Sequence, residues 1–152
     1  MNEQSIAVRQ ATIFDLDCIA PLFDLYRQFY RKPSDLALAR RFLRDQFEHN
    51  QSIIFLATRG DGAAVGFAQL FPSFSSASAA RILILNDLFV MPDVRRKGAG
   101  SQLLAAAAEF GRAIGAVRLT LSTEVTNEAA QALYERAGWK RQTDFYVYNF
   151  SP

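Results

Sequence analysis

The sequence is poor in the side chains that carry reactive chemistry by themselves: one cysteine, Cys18, and one histidine, His49, in 152 residues. A single cysteine excludes an internal disulfide framework and fits a reducing compartment. Cys18 falls in an apolar helical pattern and reads as core filler; a cysteine nucleophile needs a base, and the one histidine lies in a polar stretch. Long hydrophobic runs are missing too: nothing approaches the roughly 20 residues of a membrane span, and MNEQSIAVRQ at the N-terminus has no apolar leader region. The expectation is a cytoplasmic protein without a membrane. Charge of one sign is also lacking, with 17 Lys and Arg against 15 Asp and Glu and a net +2. Bulk attraction to nucleic acid is therefore not indicated, and the basic residues count by placement. What is abundant is apolar: half the residues are hydrophobic, which suits one compact domain over residues 1–152.

Ile6 to Arg9 reads as a first strand, and Thr12 with Asp15 three positions on makes a capping-box start for a helix carrying Leu16, Ile19, Leu22, Phe23, Tyr26 and Tyr30. Pro21 is expected to end its first turn or kink it. Pro33-Ser34-Asp35 opens a second amphipathic helix whose Arg40, Arg41 and Arg44 read as a solvated face. Ser52 to Thr58 and Ala64 to Phe71, either side of Arg59-Gly60-Asp61-Gly62, read as an antiparallel hairpin. FPSFSSASAA reads as a loop and Arg81 to Val90 as a central strand, with Asn86 and Asp87 its polar exceptions. Then come a helix over Ser101 to Ile114, a strand over Val117 to Ser122, a helix over Asn127 to Ala137, and two short strands in WKRQTDFYVYNF. The order β-α-α-β-β-β-α-β-α-β-β implies an α+β or α/β sandwich with a mixed sheet between helices.

The most informative stretch is VMPDVRRKGAGSQLLAAAAEF. A strand ends at Val90, three basic residues follow, and two glycines stand where a helix begins. Helix N-termini present unpaired N–H groups and partial positive charge, and glycine lets an anion approach the backbone. The Arg95 to Ser101 segment therefore reads as a phosphate or pyrophosphate cradle. The Walker pattern fails for want of Gly-Lys-Ser/Thr, and the dinucleotide pattern for want of a third glycine and a first βαβ unit. Arg-x-x-Gly-x-Gly remains, on Arg95, Gly98 and Gly100. Alone it is equally a basic loop with a glycine cap.

It is joined by NEAAQALYERAGW, residues 127 to 139. Together the two motifs resemble the GNAT superfamily of acetyl-CoA dependent N-acetyltransferases: a strand, Arg/Gln-x-x-Gly-x-Gly/Ala and a helix, then Asn-x-x-Ala-x-x-Leu-Tyr-x-x-x-Gly-Phe/Trp. The resemblance is strongest from Leu85 to Trp139. It implies a mixed, mostly antiparallel sheet of six to seven strands flanked by four helices, with acetyl-CoA as co-substrate and no metal. It also implies that the Phe89 and Val90 backbone pairs with the pantetheine arm. Arg95, Arg96, Lys97, Gly98, Ala99, Gly100 and Ser101 would hold the pyrophosphate, Asn127 would bond the pantetheine side, and Tyr134 would face the departing sulfur. Asn127 is equally an N-cap, and Tyr134 equally a core aromatic.

In this family the amine attacks the thioester directly, so an oriented amine, an oxyanion donor and a proton route are needed. The donor would be the backbone at Phe89 or Val90. Asp87 is the candidate base, with Glu124 the other acid near the reacting centre; strand alternation is expected to put Asn86 and Asp87 on opposite faces. Tyr26, Tyr30, Asn86, Glu124 and the FPSFSS loop are expected to line the acceptor groove. LNDLFVMPDVRRKGAG is most similar to the diamine and polyamine acetyltransferase branch, which has an acid where this chain has Asn86. The acceptor is thus read as a primary amine of a small molecule or peptide, and the family's frequent dimers suggest a homodimer. A silent acyl-CoA-binding sensor would use the same cradle. A nucleic-acid module built on Arg95, Arg96 and Lys97 is disfavoured by the net charge.

Overall fold

A computed structural model describes residues 5–152; the first four residues, part of the stretch read for a leader, lie outside the described residues. Two compact units divide the chain, residues 1–122 and 123–152.

The first unit is a five-stranded sheet in the order β1-β2-β3-β4-β5. Its strands are β1 (Ile6–Gln10), β2 (Ile53–Arg59), β3 (Ala64–Ser75), β4 (Ala80–Val90) and β5 (Leu119–Thr120). The first four are antiparallel neighbours, and β5 joins β4 in parallel only at Leu83 and Ile84. FPSFSS is thus not a loop: it continues β3 to Ser75 and pairs residue by residue with Ala80 to Ile84. Burial alternates residue by residue from Phe71 to Ser75, as a pleated strand requires, and the reversal is confined to residues 76–79.

Helices α1 (Leu16–Phe29) and α2 (Leu36–Glu48) belong to one face of the sheet and α3 (Ala99–Ala113) to the other. The α1 face holds Leu16, Ile19, Leu22, Phe23, Leu43, Ile54, Leu56, Phe67 and Phe89 in one cluster. Each such side chain is worth about 1.5–3 kcal/mol when fully buried. That explains why α1 continues past Pro21 rather than ending its first turn there: one lost helix bond is outweighed by the apolar stripe around it. The expected capping box forms, with Thr12 and Asp15 bonding each other's backbone around a 3-10 turn at Ile13–Asp15. Asp15 also accepts both guanidinium nitrogens of Arg9, at 2.8 and 2.6 Å, which hold its carboxyl below the ordinary range. Cys18 is exposed rather than core. It points off the apolar stripe, and its thiol donates to the Asp15 carbonyl at 3.1 Å.

The second unit holds α4 (Glu128–Arg136), one residue inside the expected bounds at each end. Asn127 caps it, accepting from Ala130 N–H at 3.2 Å, and Trp139 N–H donates to the Tyr134 carbonyl at 3.0 Å. The two strands expected in WKRQTDFYVYNF are not formed, so the sheet has five strands rather than six or seven. β-forming residue types supply propensity, but a strand exists only through a ladder with a neighbour. Phe145, Tyr146, Val147, Tyr148 and Phe150 are exposed. Among the described residues no helix is long and apolar enough to cross a membrane, and none of their His, Cys, Asp and Glu side chains cluster in threes as a metal site.

Candidate active site

The site begins with a register slip. Gln69 pairs with Asp87 and Leu70 with Leu85, so Asn86 is one extra residue in β4. A β-bulge of this kind bends the strand and re-aims a side chain. The expected separation of Asn86 and Asp87 onto opposite faces therefore fails: both line one cavity, and Asn86 Nδ2 donates to Asp87 Oδ1 at 3.0 Å.

That cavity, about 300 Å³, is lined by Phe23, Tyr26, Arg27 and Tyr30 of α1, Lys32 beyond it, Phe42 of α2, Gln69 and Phe71 of β3, and Asn86 and Asp87. Its walls are stacked rings, with Phe23 and Phe42 nearly parallel at 5.4 Å and Tyr26 edge-on to Tyr30 at 5.0 Å. Asp87 is 3% exposed. Gln69 Nε2 donates to its Oδ2 at 2.5 Å, and Ser52 Oγ donates to Gln69 Oε1 at 2.8 Å. Burial pushes the Asp87 carboxyl above the ordinary carboxylate range, while Gln69, Tyr26 and Asn86 pull the other way as donors. The Tyr26 phenol is driven far up by burial and by Asp87, so it stays protonated; its hydroxyl donates to the Asn86 carbonyl at 3.3 Å. A carboxylate raised by burial in an apolar pocket accepts a proton more readily than a free one.

Sequence reasoning found Tyr26, Tyr30, Asn86 and Asp87, and the structure brings these four together. Phe71, the first residue of FPSFSS, also lines the cavity as expected, while Gln69, Arg27, Lys32 and the rings of Phe23 and Phe42 were not named in advance. Gln69 had a signal, a lone amide inside the apolar strand sequence FAQLF. Arg27 had none, being one charged helix residue among many. Its Nη1 is buried without a hydrogen-bond partner among the described residues, a situation that costs about 1–3 kcal/mol. Glu124, Asn127 and Tyr134 lie in the second unit.

Beyond Ile84 the β5 side of β4 carries no strand partner among the described residues. Met91 N–H bonds Val65 on β3 at 2.8 Å, and the Phe89 carbonyl also faces β3, within 2.8 Å of where a Cβ on Gly66 would stand. Backbone groups alternate sides along a strand. The groups on the free edge are therefore those of Leu88 and Val90, not the adjacent pair Phe89 and Val90. Arg95 Nε reaches the Val90 carbonyl at 3.0 Å, with its guanidinium over the Phe89 ring.

From there Arg95, Arg96 and Lys97 are all exposed. Gly98, at φ +88°, is the N-cap of α3 with no side-chain cap bond. The first α3 bond beyond it is Gln102 N–H to the Gly98 carbonyl, at 3.0 Å, leaving the N–H groups of Ala99, Gly100 and Ser101 to other acceptors. Left-handed geometry, rather than lack of room, demands glycine at position 98: a Cβ there would stand 3.9 Å from Gln102 Nε2. An unpaired strand edge running into an uncapped basic helix start fits a ligand with an amide-bearing arm and a pyrophosphate.

The sequence matches the acetyltransferase (GNAT) family over residues 19–139. The chain belongs to that family. An uncharacterized N-acetyltransferase of Bacillus subtilis (strain 168), YhfO, is 49% identical over 93% of this chain and 94% of its own. A crystal structure of a probable acetyltransferase superposes with TM-score 0.91 at 39% identity, covering 96% of this chain and 97% of that one. An aminoglycoside N-acetyltransferase solved with CoA shares the fold, with TM-score 0.81 at 19% identity over 96% and 95% of the two chains. This GNAT protein is therefore an acetyl-CoA dependent N-acetyltransferase of mixed α/β fold.

Proposed function

We propose that this acetyltransferase acts on a primary amine of a small molecule or peptide by direct attack, with Asp87 taking the amine proton. The observation that carries the reading is the buried Asp87 carboxylate on an aromatic-walled cavity, on the strand whose free edge begins beside it. Bound acetyl-CoA supplies the acetyl group as a thioester. Leu88 and Val90 would bond its arm, and Ala99, Gly100 and Ser101 N–H groups with Arg96 and Lys97 would hold its phosphates. The Val90 N–H is the donor for the thioester oxygen. The C–N bond forms as the C–S bond breaks; one ammonium proton leaves through Asp87 and a second ends on sulfur. Asn127 and Tyr134 keep the roles their motif implies, pantetheine-side bond and sulfur-side hydroxyl. A thiol of pKa about 8.5 is a tolerable leaving group, which makes Tyr134 a supporting acid. Residues 1–152 act here as one domain, the family match over residues 19–139 running through both units.

The test is a screen of amines for thiol release from acetyl-CoA, with Asp87→Asn as control. Amine-dependent release that falls in the variant supports the reading. CoA binding without acceleration by any amine returns the chain to the silent-sensor alternative.

A further inference from the structure

The cavity lining carries charge of both signs, and the amine uses only one of them. β4 contributes Asp87, where an ammonium group belongs. α1 and the segment after it contribute Arg27 and Lys32. Arg27 Nη1 is buried without an acceptor among the described residues. Asp24, the acid one turn away, does not absorb it: its oxygens are taken by Ser34 Oγ at 2.6 Å, Asp35 N–H at 2.8 Å and Gln28 Nε2 at 3.1 Å. Those same bonds fix the segment that carries Lys32. An arginine and a lysine in the lining of one ligand cavity are binding groups for an anion.

We infer that the acceptor is an amine bearing its own anion, a carboxylate or phosphonate close to the amino group, with Arg27 and Lys32 as its anion subsite. This deepens the acetyl-transfer reading and rests on it. Three features set the class. Charges of both signs in one lining match a zwitterion and disfavour a polycation, whose further ammonium groups gain nothing from Arg27 and Lys32. The stacked Phe23, Tyr26 and Phe42 rings match an apolar or aromatic body between the charged ends. A volume near 300 Å³ lies at the small end of the roughly 300–1,000 Å³ of ligand pockets, which fits an amino acid better than a multi-ring amine.

The experiment compares racemic phenylalanine, its methyl ester and 2-phenylethylamine as acceptors, with spermidine as the polycation, reading CoA thiol release. The expected kcat/KM for phenylalanine exceeds that for 2-phenylethylamine by about 10–100-fold, the usual size of a charge-assisted hydrogen bond. In Arg27→Gln that ratio falls to within about threefold of unity, and in Lys32→Gln, an exposed position, it falls part-way. Calorimetric titration of phenylalanine into the CoA-loaded enzyme and both variants gives a reading independent of turnover. Transfer to 2-phenylethylamine, the ester or spermidine at rates equal to or above phenylalanine overturns the anion subsite and leaves acetyl transfer standing. A wild-type ratio that survives both substitutions also overturns it. Phenylalanine binding that depends on Arg27, with no transfer to any amine, keeps the subsite and overturns the transferase reading instead.

Discussion

Replacing Asp87 by Asn separates proton transfer from every other function of the pocket. An alkylamine of pKa about 10.4 is 3.4 units from neutrality at pH 7, so roughly one molecule in 2,500 is free to attack. A base beside the bound ammonium recovers at most that factor, which falls within the roughly 10²–10⁴ of positioned general bases. At 1.36 kcal/mol per decade the ceiling is about 4.6 kcal/mol of barrier. The hydrogen-bond frame can survive the change. Asp87 accepts from Gln69 Nε2, and Gln69 in turn accepts from Ser52 Oγ; turning the Gln69 amide over lets its oxygen accept from the new amide while its nitrogen donates to the serine hydroxyl. The folded protein raises the Asp87 carboxyl above its unfolded value. Asp87 thus favours folding below the ordinary carboxylate range and loses that contribution as pH rises through its folded pKa. The variant should therefore keep or gain thermal stability at pH 8. Its kcat/KM should fall by about three decades at pH 7 and climb tenfold per pH unit, meeting the wild type near pH 10. Wild-type kcat/KM should bend to a plateau well below the amine pKa. The assay is thiol release from pH 5.5 to 10, with melting curves alongside. A wild-type profile that climbs unbroken to pH 10, or a variant that keeps the plateau, would refute Asp87 as the base.

Other perturbations address the remaining parts. Tyr134→Phe should lower kcat toward the low end of roughly 10²–10⁴ with CoA affinity nearly intact; equal kcat would reduce Tyr134 to packing. Gly98→Val puts a β-branched residue at φ +88° and should weaken CoA binding at least tenfold by calorimetry, the αL position alone costing about 1–2 kcal/mol; unchanged affinity in folded protein would remove the phosphate cradle. Asp15→Asn breaks the Arg9 pair and half of the capping box, and should cost about 1 kcal/mol in denaturant melts. Because Arg9 holds the Asp15 carboxyl low, that difference is present above the ordinary carboxylate range and shrinks as pH falls through the folded pKa.

Local grammar in the sequence determined the end of this protein proposed to hold the cofactor. Strand, basic triplet and glycine pair are contiguous, so the Gly98 cap, α3 and the Asn127 cap of α4 could be read from neighbours in the chain, as could the Thr12 and Asp15 box. The cavity proposed for the acceptor was only half legible. Tyr26, Tyr30, Asn86 and Asp87 stood out as aromatic or polar residues in apolar patterns. That Asn86 and Asp87 share a face depends on a bulge, and a bulge is a relation between two strands that neither strand records. The same reason hid Gln69 as the partner of Asp87 and gave Leu88 and Val90, rather than Phe89, the free edge. Arg27 is the extreme case: one more charged helix residue in sequence, it becomes a half-buried cation in a cavity lining only when α1, α2, β3 and β4 close around it.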